Sequence, residues 1–480
     1  MHNVCHNGIL NIYNFMNRYF RMAGAGAIMA IAAMTAKAQQ VQGFVHQQSD
    51  ASGYEWPTDT AVINKLDQWR DLKFGVLFHW GLYSVPGIVE SWSICSEDVD
   101  WISRKGNMPY EEYKKWYWSL ADSLNPTLFD PAQWADIMAD AGMRYAIFTT
   151  KHHDGFCMFD SRLTDFSIAK GPFAGNEKSD VARHVFDAFR DKGFSIGAYF
   201  SKPDWHTEWF WNPEFATPNR HINYKKERHP DWWKRYQDFT AGQLGELLSG
   251  RYGRLDILWL DGGWIKGDDI GLDSILLDAR AGRHPGLISV DRSIRGRNEN
   301  YQTPERGIPE KQLSYPWESC ITLSNDWGWV PDAPYKSPEK VIALLAETTA
   351  KGGCLLLGVG PTAEGLIEPE AEWRLRAVGE WLRRNGEAIY ATVTTPIYND
   401  GNVWFTASKD GSTLYAIVTP AEGEAMPRQI TWNGNEPKGR MTLLDGGRKL
   451  SYSTDRNGVT RVNLPKGVKA GPLAIKFRKR

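Results

Sequence analysis

Between residues 60 and 385 short, continuously apolar runs alternate with amphipathic stretches, and this alternation limits the fold more than any other feature of the chain. The runs are KFGVLFH (73–79), RYAIFTT (144–150), SIGAYFS (195–201), LDILWLD (255–261), GLISVD (286–291) and CLLLGVG (354–360). A strand that is apolar on both faces belongs to a parallel sheet covered on both sides. Segments such as PAQWADIMADAG (131–142), VARHVFDAFRDKG (181–193) and SPEKVIALLAETTAKGG (337–353) read as helices closed by glycine. The pattern predicts an α/β fold, a (β/α)8-like TIM barrel. A doubly wound sheet fits less well, because no strand leads into a G-x-G-x-x-G turn. After AEWRLRAVGEWLRRNGEAI (371–389) the character changes to short alternating segments with D-G and N-G turns. That predicts a C-terminal antiparallel β-sandwich domain at 391–480, joined to a barrel domain at 39–390.

Residues 1–38 read as a leader. Within MNRYFRMAGAGAIMAIAAMTAKA (16–38), Arg18 and Arg21 precede an apolar run of small residues and an A-x-A site at Ala36-Lys37-Ala38. The run from Met22 to Met34 is too short to span a bilayer, and no later stretch reaches the roughly 20 apolar residues required. The expectation is an exported protein, periplasmic or extracellular, maturing near Gln39, with Met16 as the true start. Of the five cysteines, Cys5 falls in the leader, and Cys95, Cys157, Cys320 and Cys354 lie far apart without C-x-x-C spacing. Buried thiols are expected, rather than a zinc site or a disulfide framework. Lys and Arg total 56 against 57 for Asp and Glu, so no field of one sign favours nucleic acid or an anionic membrane. The 22 tryptophans suit the apolar faces of sugars as well as they suit packing.

In a TIM barrel, chemistry sits where the strands end. The residues there are His79 and Trp80; Lys151, His152, His153 and Asp154; Tyr199, Lys202 and Asp204; Trp259 and Asp261; Asp291 and Arg292. A metal hydrolase would use the histidines and aspartates as ligands. Adjacent His152 and His153 on an extended chain should point to opposite sides, which argues against one shared metal. A glycosidase needs two carboxyl groups flanking a glycosidic bond, with histidines, an arginine and tryptophans holding the sugar. The inventory suits that chemistry better, with no metal or organic cofactor.

The segments KFGVLFHWGLYSVPG, FTTKHHDGFCMFDS, ILWLDGGW and KGGCLLLGVGPTAEGLI, in this order, resemble the hallmark segments of the family 29 α-L-fucosidases, over roughly residues 55–480. The resemblance implies a retaining exo-glycosidase on an irregular barrel with a β-sandwich behind it, acting on a fucosylated oligosaccharide or glycoconjugate. It assigns Asp261 of LWLDGG as the nucleophile. His79, His152, His153, Tyr199, Trp259 and Arg292 match sugar-binding positions, and Trp80 and Trp92 join them as substrate-binding side chains. The acid/base falls among Glu305, Glu310 and Glu318 of YQTPERGIPEKQLSYPWESC, with Glu305 preferred and Glu318 as the alternative acid/base or a supporting residue. One departure concerns a Glu-Trp pair of the family, which here is Glu90-Ser91-Trp92, leaving the role of Glu90 open. The aromatic stretch DWHTEWFWNPEFATPNRH (204–221) is expected to border the leaving group. A glycosidase of another specificity, such as a galactosidase, and a non-catalytic carbohydrate-binding protein are the competing readings.

Overall fold

The strands form where the apolar runs stand. The computed structural model describes residues 53–480 except 98, 100, 101, 103, 105 and 425. The expected leader and the start at Met16 lie outside the described residues. Helix α1 (Thr60–Leu72) leads into β1 (Phe74–Phe78), followed by α2 (Tyr110–Ser119), α3 (Pro131–Asp140), β2 (Tyr145–Lys151), α4 (Val181–Asp191), β3 (Ser195–Ser201), α5 (Pro230–Leu248) and β4 (Ile257–Asp261). Then come α6 (Leu272–Ala281), β5 (Ile288–Asp291), β6 (Glu318–Thr322), α7 (Pro338–Ala350), β7 (Cys354–Val359) and α8 (Pro369–Asn385). Local signals set the helix ends. Asp59, Asp130 and Ser337 cap α1, α3 and α7 by accepting from exposed backbone N–H groups. Past the last turn of α4, Gly193 takes φ 81°, the left-handed turn that lets the chain re-enter the sheet.

Seven parallel strands pair in the order β5-β4-β3-β2-β1-β7-β6, a TIM-like sheet with helices outside. Two features depart from the expected eightfold repeat. The strand β6 has the polar sequence ESCIT and so carries no apolar run, although all five residues are buried. The gap between β5 and β6 is crossed by an irregular extended segment instead of an eighth named strand. Val290 bridges Glu299, Gln302 bridges Trp317, and Glu305 bridges Cys320. Pairing of the Arg306 N–H with the Cys320 carbonyl (2.8 Å) and of the Glu318 N–H with the Gln302 carbonyl (2.8 Å) fastens this segment to β6.

Alternation along the strands divides the core. Phe74, Val76 and Phe78 face the helices, whereas Leu77, Ile147, Tyr199, Ile257, Trp259 and Val290 fill the barrel interior. Behind α8, strands β8 (Asn399–Asp400), β9 (Val403–Ala407), β10 (Leu414–Val418), β11 (Gln429–Asn433), β12 (Pro437–Leu443), β13 (Lys449–Thr454), β14 (Val459–Asn463) and β15 (Leu473–Lys479) make one antiparallel sheet, ordered β11-β14-β13-β12-β15-β10-β9-β8. It is barrel-like: the Asp400 carboxylate of the last strand accepts from the backbone of Asn433 in the first (2.6 Å), over a core with Phe405, Trp432 and Phe477 at its centre. The described residues all belong to one compact unit. The four described cysteines are free and buried. Among the described residues no helix is long and apolar enough to cross a membrane.

Candidate active site

The period of two along β1 sends neighbouring side chains to opposite faces. His79 turns inward, 4% exposed, and Nδ1 has no partner within the protein. Its ring lies 5.1 Å from Trp327, 5.3 Å from Tyr199 and 5.5 Å from His152. Trp80, expected among the substrate-binding residues, turns outward for the same reason. It packs on Phe129 and Trp134, and its indole donates to the Thr362 carbonyl (2.8 Å), so it belongs to the helix-facing core.

The expectation that His152 and His153 diverge is overturned. The register between β2 and β3 slips after Thr149, so that Tyr199 faces Thr149 but the next residue, Phe200, faces Lys151. This bulge resets the alternation. Lys151 is thrown outward to Asp204 (3.0 Å) and Gln243 (2.9 Å), and His152 turns in. The chain then bends, which brings His153 to the same side, with ring centroids 4.3 Å apart. The Nδ1 of His152 pairs with the Ser91 hydroxyl. The Nδ1 of His153 pairs with the Ser201 hydroxyl (2.7 Å), whose own proton goes to the Pro203 carbonyl (2.7 Å). Ser201 therefore accepts from His153, and Nε2 of that imidazole is left as an acceptor facing Asp261 at 3.8 Å. Burial keeps both rings neutral: His152 titrates down near 4, and His153, with His152 beside it, lies well below the usual range.

Asp261 ends β4 and is 16% exposed through its side chain. The turn that follows admits only glycine, since a Cβ on Gly262 would stand 2.1 Å from Pro203 Cδ, and φ is +79°. The Tyr199 hydroxyl donates to Oδ2 (2.7 Å) and Arg292 Nη1 to Oδ1 (3.1 Å). Burial works against the charge of Asp261, but Arg292, with the Tyr199 hydroxyl and the Gly262 backbone N–H, outweighs it and holds the carboxyl well below the usual range. The other terminal nitrogen of Arg292, Nη2, donates to Glu305 Oε2. The Trp327 indole donates to Glu305 Oε1 (3.1 Å). One guanidinium thus joins Asp261 to Glu305, while Arg292 also lies over the Trp259 ring at 5.2 Å.

Glu318, the alternative acid/base, is placed at the other end of the barrel. It begins β6, opposite Cys354 at the start of β7, and is fully buried. Its oxygens accept from Tyr145 (2.7 Å), Trp259 Nε1 (3.2 Å) and Tyr301 (3.5 Å), and burial raises it to about 7 despite these donors. It therefore anchors the indole that underlies Tyr199 (ring centroids 5.2 Å apart) and touches no reacting group. Glu310 is exposed.

Trp92, Trp205 and Trp264 surround His153 at 5.0 to 5.2 Å between ring centroids. Arg220, paired with Glu97, caps the rings of Trp92 and Trp264 at 4.6 and 5.4 Å. Glu90 is buried and accepts the Trp327 backbone N–H (2.8 Å), so it fixes the residue that holds Glu305. Burial and Asp326 raise Glu90 to about 7. Several polar residues of the strand ends do not face the site. Lys151 pairs with Asp204 and Lys202 with Asp291 behind it, each group at most 2% exposed through its side chain. Trp327, Ser91, Ser201 and Trp264 are participants that the sequence did not single out in these roles. Only the presence of Ser91 within the Glu-Trp pair pointed to one of them.

His152, His153 and Asp261 offer atoms within 4.8 Å of one another, a spacing compatible with a metal ion. A dication there would stand against the Arg292 guanidinium, and Asp261 already accepts from Arg292 and Tyr199. Neutral imidazole acceptors, an ionised carboxylate and aromatic walls suit a polyhydroxylated ring with apolar faces.

Residues 41–387 match the sequence model of the family described as Alpha-L-fucosidase. Plasma alpha-L-fucosidase of Homo sapiens is 29% identical over 447 residues, 86% of this chain and 89% of that protein. Alpha-L-fucosidase isoenzyme 1 from Paenibacillus thiaminolyticus superposes with a TM-score of 0.73 at 29% identity, covering 88% of this chain and 100% of that one. A family 29 alpha-L-fucosidase from Bacteroides thetaiotaomicron, solved as a trapped covalent intermediate with 2-fluoro-fucosyl fluoride, superposes with a TM-score of 0.70 at 25% identity, covering 90% and 98% of the two chains.

Proposed function

Because this chain belongs to the alpha-L-fucosidase family, we propose that it is a retaining exo-α-L-fucosidase that removes terminal fucose from glycans through a covalent fucosyl-enzyme intermediate. The observation that carries this reading is the single Arg292 guanidinium shared by Asp261 and Glu305. Two carboxylates on one fork stay close together, as a retaining pair at roughly 5–5.5 Å requires and an inverting pair at roughly 6.5–9.5 Å does not.

Asp261, held ionised, attacks C1 of the sugar while Glu305 in its acid form gives a proton to the departing glycosidic oxygen. Attack turns Asp261 into a neutral ester. Arg292 is then left with Glu305 as its only charged partner, which stabilises the carboxylate that takes a proton from water in the second step. Water adds to C1, Asp261 leaves, and fucose is released with its configuration retained. His153 Nε2 accepts from a sugar hydroxyl, and His79 and His152 complete the polar clamp. Trp327 and Trp259 supply apolar surface on which a 6-deoxy ring fits. Hydrolysis in this reading follows export, and peptide mapping of the mature N-terminus near Gln39 checks that step.

The test is release of 4-nitrophenol from its α-L-fucoside and from galactosides by wild type, Asp261→Ala and Glu305→Ala, with and without azide. The expected result is fucoside hydrolysis by wild type, none by Asp261→Ala without azide, azide rescue of Glu305→Ala with α-fucosyl azide as product, because azide displaces Asp261 from the β-linked ester, and β-fucosyl azide from Asp261→Ala, where azide attacks the fucoside directly. β-Fucose as the first product of wild type, or hydrolysis of the galactoside alone, would refute the reading.

A further inference from the structure

A second cleft of about 570 Å3 lies far along the chain from every catalytic residue, between helices α7 and α8 of the barrel and the C-terminal sheet. One wall is a single face of α8. Trp373, Ala377, Trp381 and Asn385 follow one another at intervals of four, so they stack along roughly 18 Å of helix at 1.5 Å per residue. The opposite wall is made by the turn Asp445–Arg448 and by the segment 467–473. The Trp381 indole donates across to the Pro472 carbonyl (2.8 Å), which fixes the separation of the two walls.

Two features of this cleft point to a ligand. Trp373 is 49% exposed, unusual for an indole that lines a cleft. Its orientation is set rather than free: Arg374 stacks on the ring at 4.3 Å, and its Nε1 donates to Glu370 (2.9 Å). Charges of both signs, among them Arg384 paired with Asp445 (3.2 Å) and also Arg448 and Lys469, edge the cleft.

We propose that this cleft is a second carbohydrate-binding site, which takes a two- or three-residue stretch of a neutral oligosaccharide. A held, half-exposed indole offers its free face to a pyranose ring, and the mixed charges present donors and acceptors for hydroxyls in several directions. A volume of this size matches small-ligand sites of about 300–1,000 Å3. The mixed signs disfavour a strongly charged partner such as nucleic acid. The choice of a glycan as ligand rests on the fucosidase reading. The site itself stands on the cleft geometry. Its role would be to hold a branched glycan while the catalytic pocket works on a terminal residue.

The test is saturation-transfer NMR of the mature chain with the fucose-free tetrasaccharide lacto-N-tetraose, with and without excess fucose, beside hydrolysis of the 4-nitrophenyl fucoside. Transfer should be seen in wild type and persist with excess fucose. It should fall about tenfold in Trp373→Ala and clearly in Arg448→Ala. Both variants should hydrolyse the aryl fucoside as wild type does, since both residues line a cleft that none of the catalytic groups lines. No transfer in wild type, transfer that survives both substitutions, or transfer abolished by fucose would overturn the proposal. Failure of the fucosidase reading would appear separately, as absent hydrolysis by wild type.

Discussion

Replacing Arg292 separates charge from geometry at the centre of the site. Arg292→Lys keeps the positive charge, but a single ammonium cannot sit on both Asp261 and Glu305 as the guanidinium fork does. Losing one charge-assisted hydrogen bond, worth about 1.5–3 kcal/mol, should lower kcat/KM about 10- to 150-fold. Arg292→Met removes the charge as well. Burial, which already opposes ionisation of Asp261, then meets only the hydrogen bonds from Tyr199 and the Gly262 N–H, so the carboxyl should move up into the titratable range. Two consequences follow, with definite signs. Activity requires ionised Asp261, so the acid limb of the kcat/KM profile should shift to higher pH. In the wild type a depressed Asp261 contributes stability that is present above its unfolded value of about 3.9 and lost only as pH falls through the lower folded value. In Arg292→Met the shift is reversed, so the ionised group destabilises increasingly as pH rises above about 4. The cost of leaving a buried pair broken, about 3–5 kcal/mol, should therefore be largest near neutrality and shrink towards about pH 4. Denaturant unfolding at about pH 4.5 and about pH 7.5, with a pH–rate profile on the aryl fucoside, measures both. An acid limb that stays in place, together with equal destabilisation at both pH values, would refute the electrostatic account and leave Arg292 a packing residue.

The placement of Glu318 at the far end of the barrel predicts that Glu318→Gln keeps kcat/KM within about tenfold of wild type. Its raised value also means that the wild type gives up stability as pH rises from about 4 to about 7, so the melting temperature of Glu318→Gln should gain on wild type between mildly acidic and alkaline buffer. Ser91→Ala unpins the His152 Nδ1 and should raise KM about 3- to 10-fold with little change in kcat, with Ser91→Thr restoring most of the loss; an unchanged KM would show that the ring is held by its neighbours alone. Lys202→Met strands Asp291 in the interior and should cost about 3–5 kcal/mol by denaturant unfolding, and Lys202→Met with Asp291→Leu should recover a large part of it. If the double variant is no better than the single one, the pair is not an isolated electrostatic unit.

What could be read in advance follows from which forces act locally. Strands β1 to β5 and β7 are continuously apolar because both faces are covered, and that pattern survives in a sequence. The strand β6 was not visible, since ESCIT uses its buried positions for hydrogen bonding, with Glu318 serving Tyr145, Trp259 and Tyr301. The location of Trp80 was available from alternation alone, because His79 and Trp80 cannot both face inward from a regular strand. The buried lysines misled for a different reason: Lys151 and Lys202 carry the charge expected of a rim, and only their pairing with Asp204 and Asp291 shows that they support it from behind. The resemblance placed His152 and His153 at sugar-binding positions, but that both face the same way was beyond reach for a deeper reason. Two consecutive side chains share a face only if the alternation is broken, and the break after Thr149 is a property of the pair β2–β3, pinned where the Thr150 hydroxyl donates to the Tyr199 carbonyl (2.6 Å). Since Tyr199 also donates to Asp261, the same contact that turns His152 and His153 together sets them against the carboxylate, and register, clamp and nucleophile form one arrangement.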